Sequence, residues 1–289
     1  MENRPASESP DLKLVSGCAA GVELAVWEWP GADPPLLFAH ATSFHGRCWD
    51  QIIRMLPERR CLAVDARGHG RSGKLGPPYR WRDFGRDLAC VAGHLAVRDA
   101  IGIGHSMGGH ATVLAASLRP ETCRALLLID PTIFPPETYR TPPFDASFIL
   151  RRRAEWSSPE EMFERFRDRA PFAAWKLEIL HDYCRFGLVA NGENLVLACP
   201  PEVEASIYTN STAPESDPYA EVASIAQPVT VLRAGQARKP GSLDLAASPT
   251  APDLAAKFPH GRDVVLPGQS HYIPMELPER VAEEIRRML

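Results

Sequence analysis

The chain has 289 residues, of which 45% are hydrophobic and 24% charged, and its formal net charge is −4. These are globular values: they exclude a disordered chain and give neither nucleic acid nor an anionic membrane an electrostatic reason to bind. No apolar run reaches the roughly 18 residues that a membrane-spanning helix needs, and the length suits one large α/β core with an insertion.

Residues 1–10 form a polar tail without the apolar stretch of a secretory leader. Seven cysteines (Cys18, Cys48, Cys61, Cys90, Cys123, Cys184, Cys199) are scattered, odd in number and never spaced C-x-x-C. They are expected as reduced thiols of a cytoplasmic protein, forming neither a disulfide framework nor a zinc site.

Runs 12–15 and 22–29 have β character, the second alternating as a half-buried antiparallel strand does. Leu36-Leu-Phe-Ala39 is wholly apolar, the pattern of a strand buried in a parallel sheet, and leads into His40-Ala-Thr-Ser-Phe-His-Gly46. A helix over 48–56 precedes a strand at 61–64, which stops at Asp65-Ala-Arg-Gly-His-Gly-Arg-Ser72. Trp81, Phe84, Leu88, Val91 and Leu95 then fall at helical spacing. A short apolar run, Gly104-His-Ser-Met-Gly108, an Ala- and Leu-rich helix to 118 and a strand at 125–129 follow, ending at Asp130. This alternation predicts an α/β fold with a mainly parallel sheet flanked by helices. In such sheets chemistry collects beyond the carboxyl ends of the strands, where His40, Asp65, Ser106 and Asp130 stand.

The character changes over 134–217, which reads as an inserted helical cap between two parts of one core, 1–133 and 218–289. Prolines at 135, 136, 142 and 143 open it, and helices are expected over 145–156, 159–169 and 173–185. Its aromatic residues, among them Phe148, Trp156, Phe166, Phe172, Trp175 and Tyr183, are expected mostly as the cap's own core, with Trp156 and Trp175 as candidate pocket residues. Arg151 to Arg153, with Arg165, Arg167 and Arg169, reads first as a solvated helix face and second as a site for an acidic substrate group. The alternation then resumes: a strand over 228–234, a long loop, a short helix over 252–258, a strand over 263–266, Gly268-Gln-Ser-His271, and a terminal helix from 278.

Gly104-His-Ser-Met-Gly108 has the form G-x-S-x-G, with a strand before it and a helix after it. A strand turning that sharply into a helix needs both glycines and leaves Ser106 exposed at its tip, beside the free N–H groups of the helix N-terminus. A serine hydroxyl is protonated at neutral pH and needs a base to become a nucleophile. His271, in the loop after the last strand, is the candidate.

With these segments in order, the chain resembles a lidded α/β-hydrolase. Gly104 to Gly108 matches the family's nucleophile elbow, Asp65 to Ser72 its D-x-R-G-x-G-x-S segment, and His271-Tyr-Ile-Pro-Met-Glu-Leu-Pro-Glu-Arg-Val the region of its catalytic histidine. The resemblance implies a structural role for Asp65 to Ser72. It implies an oxyanion hole made by the backbone N–H groups of Met107 and Thr42, although His40-Ala41 stands where the family generally carries His-Gly. Phe44 and His45 either line the acyl pocket or pack. The family usually places its acid a few residues past a glycine after the strand at 228–234, but Gly235-Gln-Ala-Arg-Lys239 has no carboxylate. Asp130, at a strand end used by some lidded members, is therefore favoured, with Asp244 as second candidate acid.

The reading is a serine hydrolase acting on carboxylic esters or lactones of small to medium, fairly apolar molecules through Ser106, His271 and Asp130. A serine at the elbow argues against dehalogenases and epoxide hydrolases of this family, whose nucleophile is an aspartate. The reaction requires no cofactor and no metal, and the only partner implied is the small-molecule substrate. Carbon–carbon bond hydrolysis, cofactor-free perhydrolysis and a non-catalytic ligand receptor are the alternatives.

Overall fold

The computed structural model describes residues 9–16, 18, 21–235 and 244–289. Residues 1–8 of the polar tail and residues 236–243 therefore lie outside the described residues. In chain order the elements are β1 (Asp11–Val15), β2 (Leu24–Trp29), β3 (Ala32–Ala39), α1 (Asp50–Arg54), β4 (Arg59–Val64), α2 (Trp81–His94), β5 (Ala100–His105), α3 (Met107–Leu118) and β6 (Cys123–Ile129). An intervening segment holds β7 (Glu155–Trp156), α4 (Pro159–Phe166), α5 (Leu177–Phe186), β8 (Leu188–Asn191), β9 (Asn194–Leu197) and α6 (Pro201–Thr209). Then come α7 (Tyr219–Ser224), β10 (Val229–Ala234), β11 (Gly261–Leu266), α8 (Ile273–Glu276) and α9 (Pro278–Met288).

Eight strands form one sheet in the order β1-β2-β4-β3-β5-β6-β10-β11. The first two pairings are antiparallel and all the others parallel. The apolar runs read as buried strands are two-sided. Leu37, Leu62, Leu126, Leu128 and Val231 face α2 and α3 through Leu88, Val91, Val113 and Ala116. Their neighbours Leu36, Phe38, Cys61, Leu127, Ile129 and Leu232 face Ile52, Ile53, Val281 and Ile285 of α1 and α9. A period of two residues thus divides each strand between two apolar layers, which is why these runs contain no polar alternation.

The intervening segment departs from the expected row of helices. Residues 145–156 do not form a helix. Ser147–Arg151 is a 3-10 turn, and Glu155–Trp156 pairs with β9, which pairs in turn with β8. The hairpin turns at Asn191-Gly192-Glu193-Asn194, with Gly192 at φ 61°, an Asn-Gly turn signal set between short apolar runs. Pro159 and Ser158 mark the start of α4 as a cap should, the Ser158 hydroxyl accepting from the Glu161 N–H.

The cysteine expectation is corrected in one place. Cys18 and Cys90 form a disulfide, their Cα atoms 5.8 Å apart across 72 residues of sequence. Linear spacing gives no hint of it, because only the packing of α2 beside the β1–β2 connection brings the two together. Among the described residues no helix is long and apolar enough to cross a membrane.

Burial also sets how the fold responds to acid. His40, His45, His69, His105 and His110 are buried. Desolvation holds each below its ordinary value of 6.5, His45 and His110 to about 4 and His105 to about 3. The unfolded chain takes up protons near 6.5 while the folded chain keeps these rings neutral, so stability is full above that pH and falls as pH drops toward 4. Urea unfolding midpoints should therefore decline steeply from pH 7 to pH 5. His110→Gln, which keeps an N–H for the Ser216 carbonyl, should lessen the slope by about one proton, ~1.4 kcal/mol per pH unit. An unchanged slope would contradict the burial argument.

Candidate active site

β5 ends at His105 and α3 begins at Met107, so Ser106 alone makes the turn from strand to helix. It sits at φ 55° and ψ −119°, a conformation that costs an L-residue about 1–3 kcal/mol. The turn closes because its flanks lack side chains. A Cβ on Gly104 would lie 2.4 Å from the Gly108 carbonyl oxygen, and one on Gly108 would lie 2.2 Å from that of Ala39.

Around Ser106 the chain brings in His271 and Asp130. His271 Nε2 is 2.9 Å from Ser106 Oγ, and Nδ1 is 2.6 Å from Asp130 Oδ2. A carboxylate accepts, so Nδ1 carries the ring proton and Nε2 accepts from the serine hydroxyl. Thr132 Oγ1 lies 3.0 Å from Ser106 Oγ; with the serine proton directed at His271, Thr132 is the donor in that contact. Asp130 Oδ1 accepts from the Ala234 N–H at 2.9 Å, Ser248 Oγ at 2.6 Å and Thr250 Oγ1 at 3.3 Å. Burial by itself would raise the pKa of Asp130. The hydrogen bond and charge of His271, with the Ser248 and Ala234 donors, outweigh it and hold the carboxyl below its ordinary value. His271 is oriented further by its own backbone, its N–H donating to Ala246 O at 2.7 Å and its carbonyl accepting from His105 Nε2 at 2.9 Å.

Asp244 lies elsewhere. It is exposed and accepts from the Ala246 N–H at 2.9 Å, a turn within its own loop. The carboxylate-free stretch after Gly235 lies outside the described residues. Ser248, Thr250 and Thr132 were not legible as site residues. The first two sit in a long loop without periodicity, and Thr132 is signalled only by its nearness to Asp130 in sequence.

The loop after β3 is pinned from below. Asp65 accepts from the Gly46 N–H at 2.6 Å, the Arg71 N–H at 2.8 Å and Trp27 Nε1 at 3.1 Å. His40 Nε2 accepts from the Ala66 N–H, and His69 Nε2 accepts from the Ser43 N–H at 3.0 Å. The Phe44 N–H donates to Ala41 O at 3.1 Å. The N–H of Thr42, the expected donor, is not among these committed groups. The Thr42 side chain also touches that of Met107, Oγ1 to Sδ at 3.5 Å, so the two residues expected to supply the oxyanion hole are in contact.

A cavity of about 360 Å³ opens over Ser106 and His271, walled by Thr42, Phe44, Phe148, Trp156, Phe166, Phe172, Trp175, Tyr183 and Tyr272. The aromatic residues of the segment that follows β6 therefore both pack on one another and form the cavity wall. Phe44 lies in that wall, between Trp175, Tyr183 and Tyr272. His45 does not: it turns away, with Nε2 donating to the Tyr183 carbonyl at 3.1 Å and its ring edge-on to Phe186. Its place is structural, joining the β3 loop to α5. As for metal donors, Cys18, Cys90 and His94 cluster within 4.8 Å, but the disulfide removes the two thiolates a metal would need.

A family model described as the alpha/beta hydrolase family matches residues 36–284. The chain belongs to the alpha/beta hydrolase family. It is similar to a 2-(acetamidomethylene)succinate hydrolase from Mesorhizobium japonicum, 25% identical over 263 residues, 90% of this chain and 89% of that protein. It is also similar to a non-heme haloperoxidase from Rhodococcus erythropolis, 36% identical over 91 residues; that match spans only 31% of this chain and 33% of the relative. Among solved structures, E-2-(acetamidomethylene)succinate hydrolase superposes with a TM-score of 0.77 at 22% identity, covering 96% of this chain and 98% of that one. This likeness extends the shared fold through the segment that follows β6.

The Asp130 carboxylate supplies a direct check on the geometry. Removing one hydrogen bond to a buried charge costs about 1.5–3 kcal/mol. Ser248→Ala should lower the unfolding free energy at pH 7 by that amount, read as a lower urea midpoint with the denaturant slope unchanged. A midpoint equal to wild type would show that Asp130 does not draw on this hydroxyl.

Proposed function

We propose that the chain is a serine hydrolase of carboxylic esters or lactones, with Ser106 as nucleophile, His271 as base and Asp130 as acid. The observation that carries the reading is the unbroken run of contacts from Ser106 Oγ to His271 Nε2 at 2.9 Å and from His271 Nδ1 to Asp130 Oδ2 at 2.6 Å. The fold and the hydrolase relatives support the class of reaction; the cavity over Ser106, with the segment 134–217 as its lid, supports a small-molecule substrate.

In this mechanism His271 Nε2 takes the Ser106 proton as Oγ attacks the carbonyl carbon. The negative charge on the carbonyl oxygen is met by the Met107 and Thr42 N–H groups, the first at the positive end of α3. Asp130 holds the imidazolium that results. His271 then protonates the departing alcohol, and water repeats the sequence on the acyl-enzyme. A donor hydroxyl from Thr132 keeps Ser106 Oγ oriented before attack.

A fluorophosphonate probe should label Ser106 in the folded protein and leave Ser106→Ala untouched. On a 4-nitrophenyl acetate-to-octanoate series, Asp130→Asn should lose about a thousandfold or more in kcat, whereas Asp244→Asn should stay within about twofold of wild type, as a surface substitution does. A folded wild type that resists the probe would falsify the serine-hydrolase reading. Full turnover in Asp130→Asn would remove Asp130 from it.

A further inference from the structure

The cavity wall is not electrically neutral. In a chain of net charge −4, it includes Arg152, Arg153 and Arg165 against a single acidic residue, Glu204. Arg152 is spent within the wall: it pairs with the buried Glu204 and donates to Tyr183 Oη at 3.3 Å. The other two arginines are placed by α4. Arg153 pairs with Glu161 at 2.6 Å, and its guanidinium lies 4.2 Å over the Trp156 ring. Arg165 stands one helical turn beyond Glu161, on the same face of α4. Glu161 is already engaged by Arg153 and by the Ser157 N–H and hydroxyl, and among the described residues Arg165 has no ion pair.

Arg153, paired with Glu161, and Arg165, without an ion pair among the described residues, thus both line a cavity whose remaining wall is largely aromatic. Charges at the edge of a low-dielectric cleft focus their field into it and select the sign of what enters. We propose that Arg165, in a cavity wall that Arg153 shares from its place over Trp156, receives a carboxylate carried by the substrate, so that the preferred esters bear a free carboxylate away from the scissile bond. This inference rests on the serine-hydrolase reading of the same site and replaces the fairly apolar substrate expected from the aromatic cap.

The test pairs esters matched in length. Mono(4-nitrophenyl) glutarate against 4-nitrophenyl pentanoate places the charge on the acyl side; 4-acetoxybenzoate against its methyl ester places it on the alcohol side. In at least one pair, wild type should favour the anionic member in kcat/KM, and the preference should fade between 20 mM and 500 mM NaCl (about 20 Å and 4 Å of screening length). Arg165→Gln should cut kcat/KM for that anionic ester by about fivefold, the range of a rim charge pair, leave the neutral ester unchanged, and be rescued in part by Arg165→Lys. Equal use of both members of both pairs, or an Arg165→Gln variant with wild-type discrimination, overturns the proposal while neutral-ester turnover leaves the hydrolase reading standing. No turnover of any ester, with Ser106 unlabelled by fluorophosphonate, overturns both.

Discussion

A carboxylate without exposed surface must be met by donors on every side, and Asp130 is such a group. Its partners come from separate parts of the chain: the N–H of Ala234 at the end of β10, the hydroxyls of Ser248 and Thr250, and the ring of His271. Each is held at a fixed place relative to β6 because the carboxylate would otherwise be buried unpaired. One buried charge thereby sets the position of the β10 end, the loop that follows it and the histidine loop. Ser106 needs no separate arrangement, since β5 pairs with β6 and presents it alongside.

The elbow depends on a second constraint, the close approach of backbones. Gly108 lies where any Cβ would meet the Ala39 carbonyl, and Gly104 lies where one would meet Gly108. The same closeness brings the loop after β3 against the N-terminus of α3, so that Thr42 and Met107 touch. The Asp65, His40 and His69 hydrogen bonds then keep that loop from rotating. Asp65, His40 and His69 are the fastenings of the loop beside Ser106, and the neutral state that burial imposes on His40 and His69 suits that work.

The segment over the sheet is built from aromatic rings that serve two ends. Trp156, Phe166, Phe172, Trp175 and Tyr183 pack edge-on or stacked on one another and present their remaining surface to the cavity. Such a wall is rigid and apolar, so the few charges set into it dominate the potential inside. The Arg152–Glu204 and Arg153–Glu161 pairs offset themselves, which leaves Arg165 as the arginine of that wall without an ion pair among the described residues.

The sequence by itself determined the sheet and the elbow. Uninterrupted apolar runs of four to six residues bounded by loop signals fit strands with both faces covered, and G-x-S-x-G between a strand and a helix fits a tight elbow. Ser106 and His271 were readable for that reason, as was the strand-end position of Asp130. Which of Asp130 and Asp244 meets His271 was decided by tertiary structure, because it depends on where a loop lacking periodicity lays its hydroxyls. The Cys18–Cys90 bond and the β7–β9–β8 sheet belong to the same class: residues far apart, or runs too short for a period to show, acquire meaning only when packing sets their neighbours. His45 likewise differed from Phe44 in nothing local; the direction each side chain takes against α5 was settled by the fold alone.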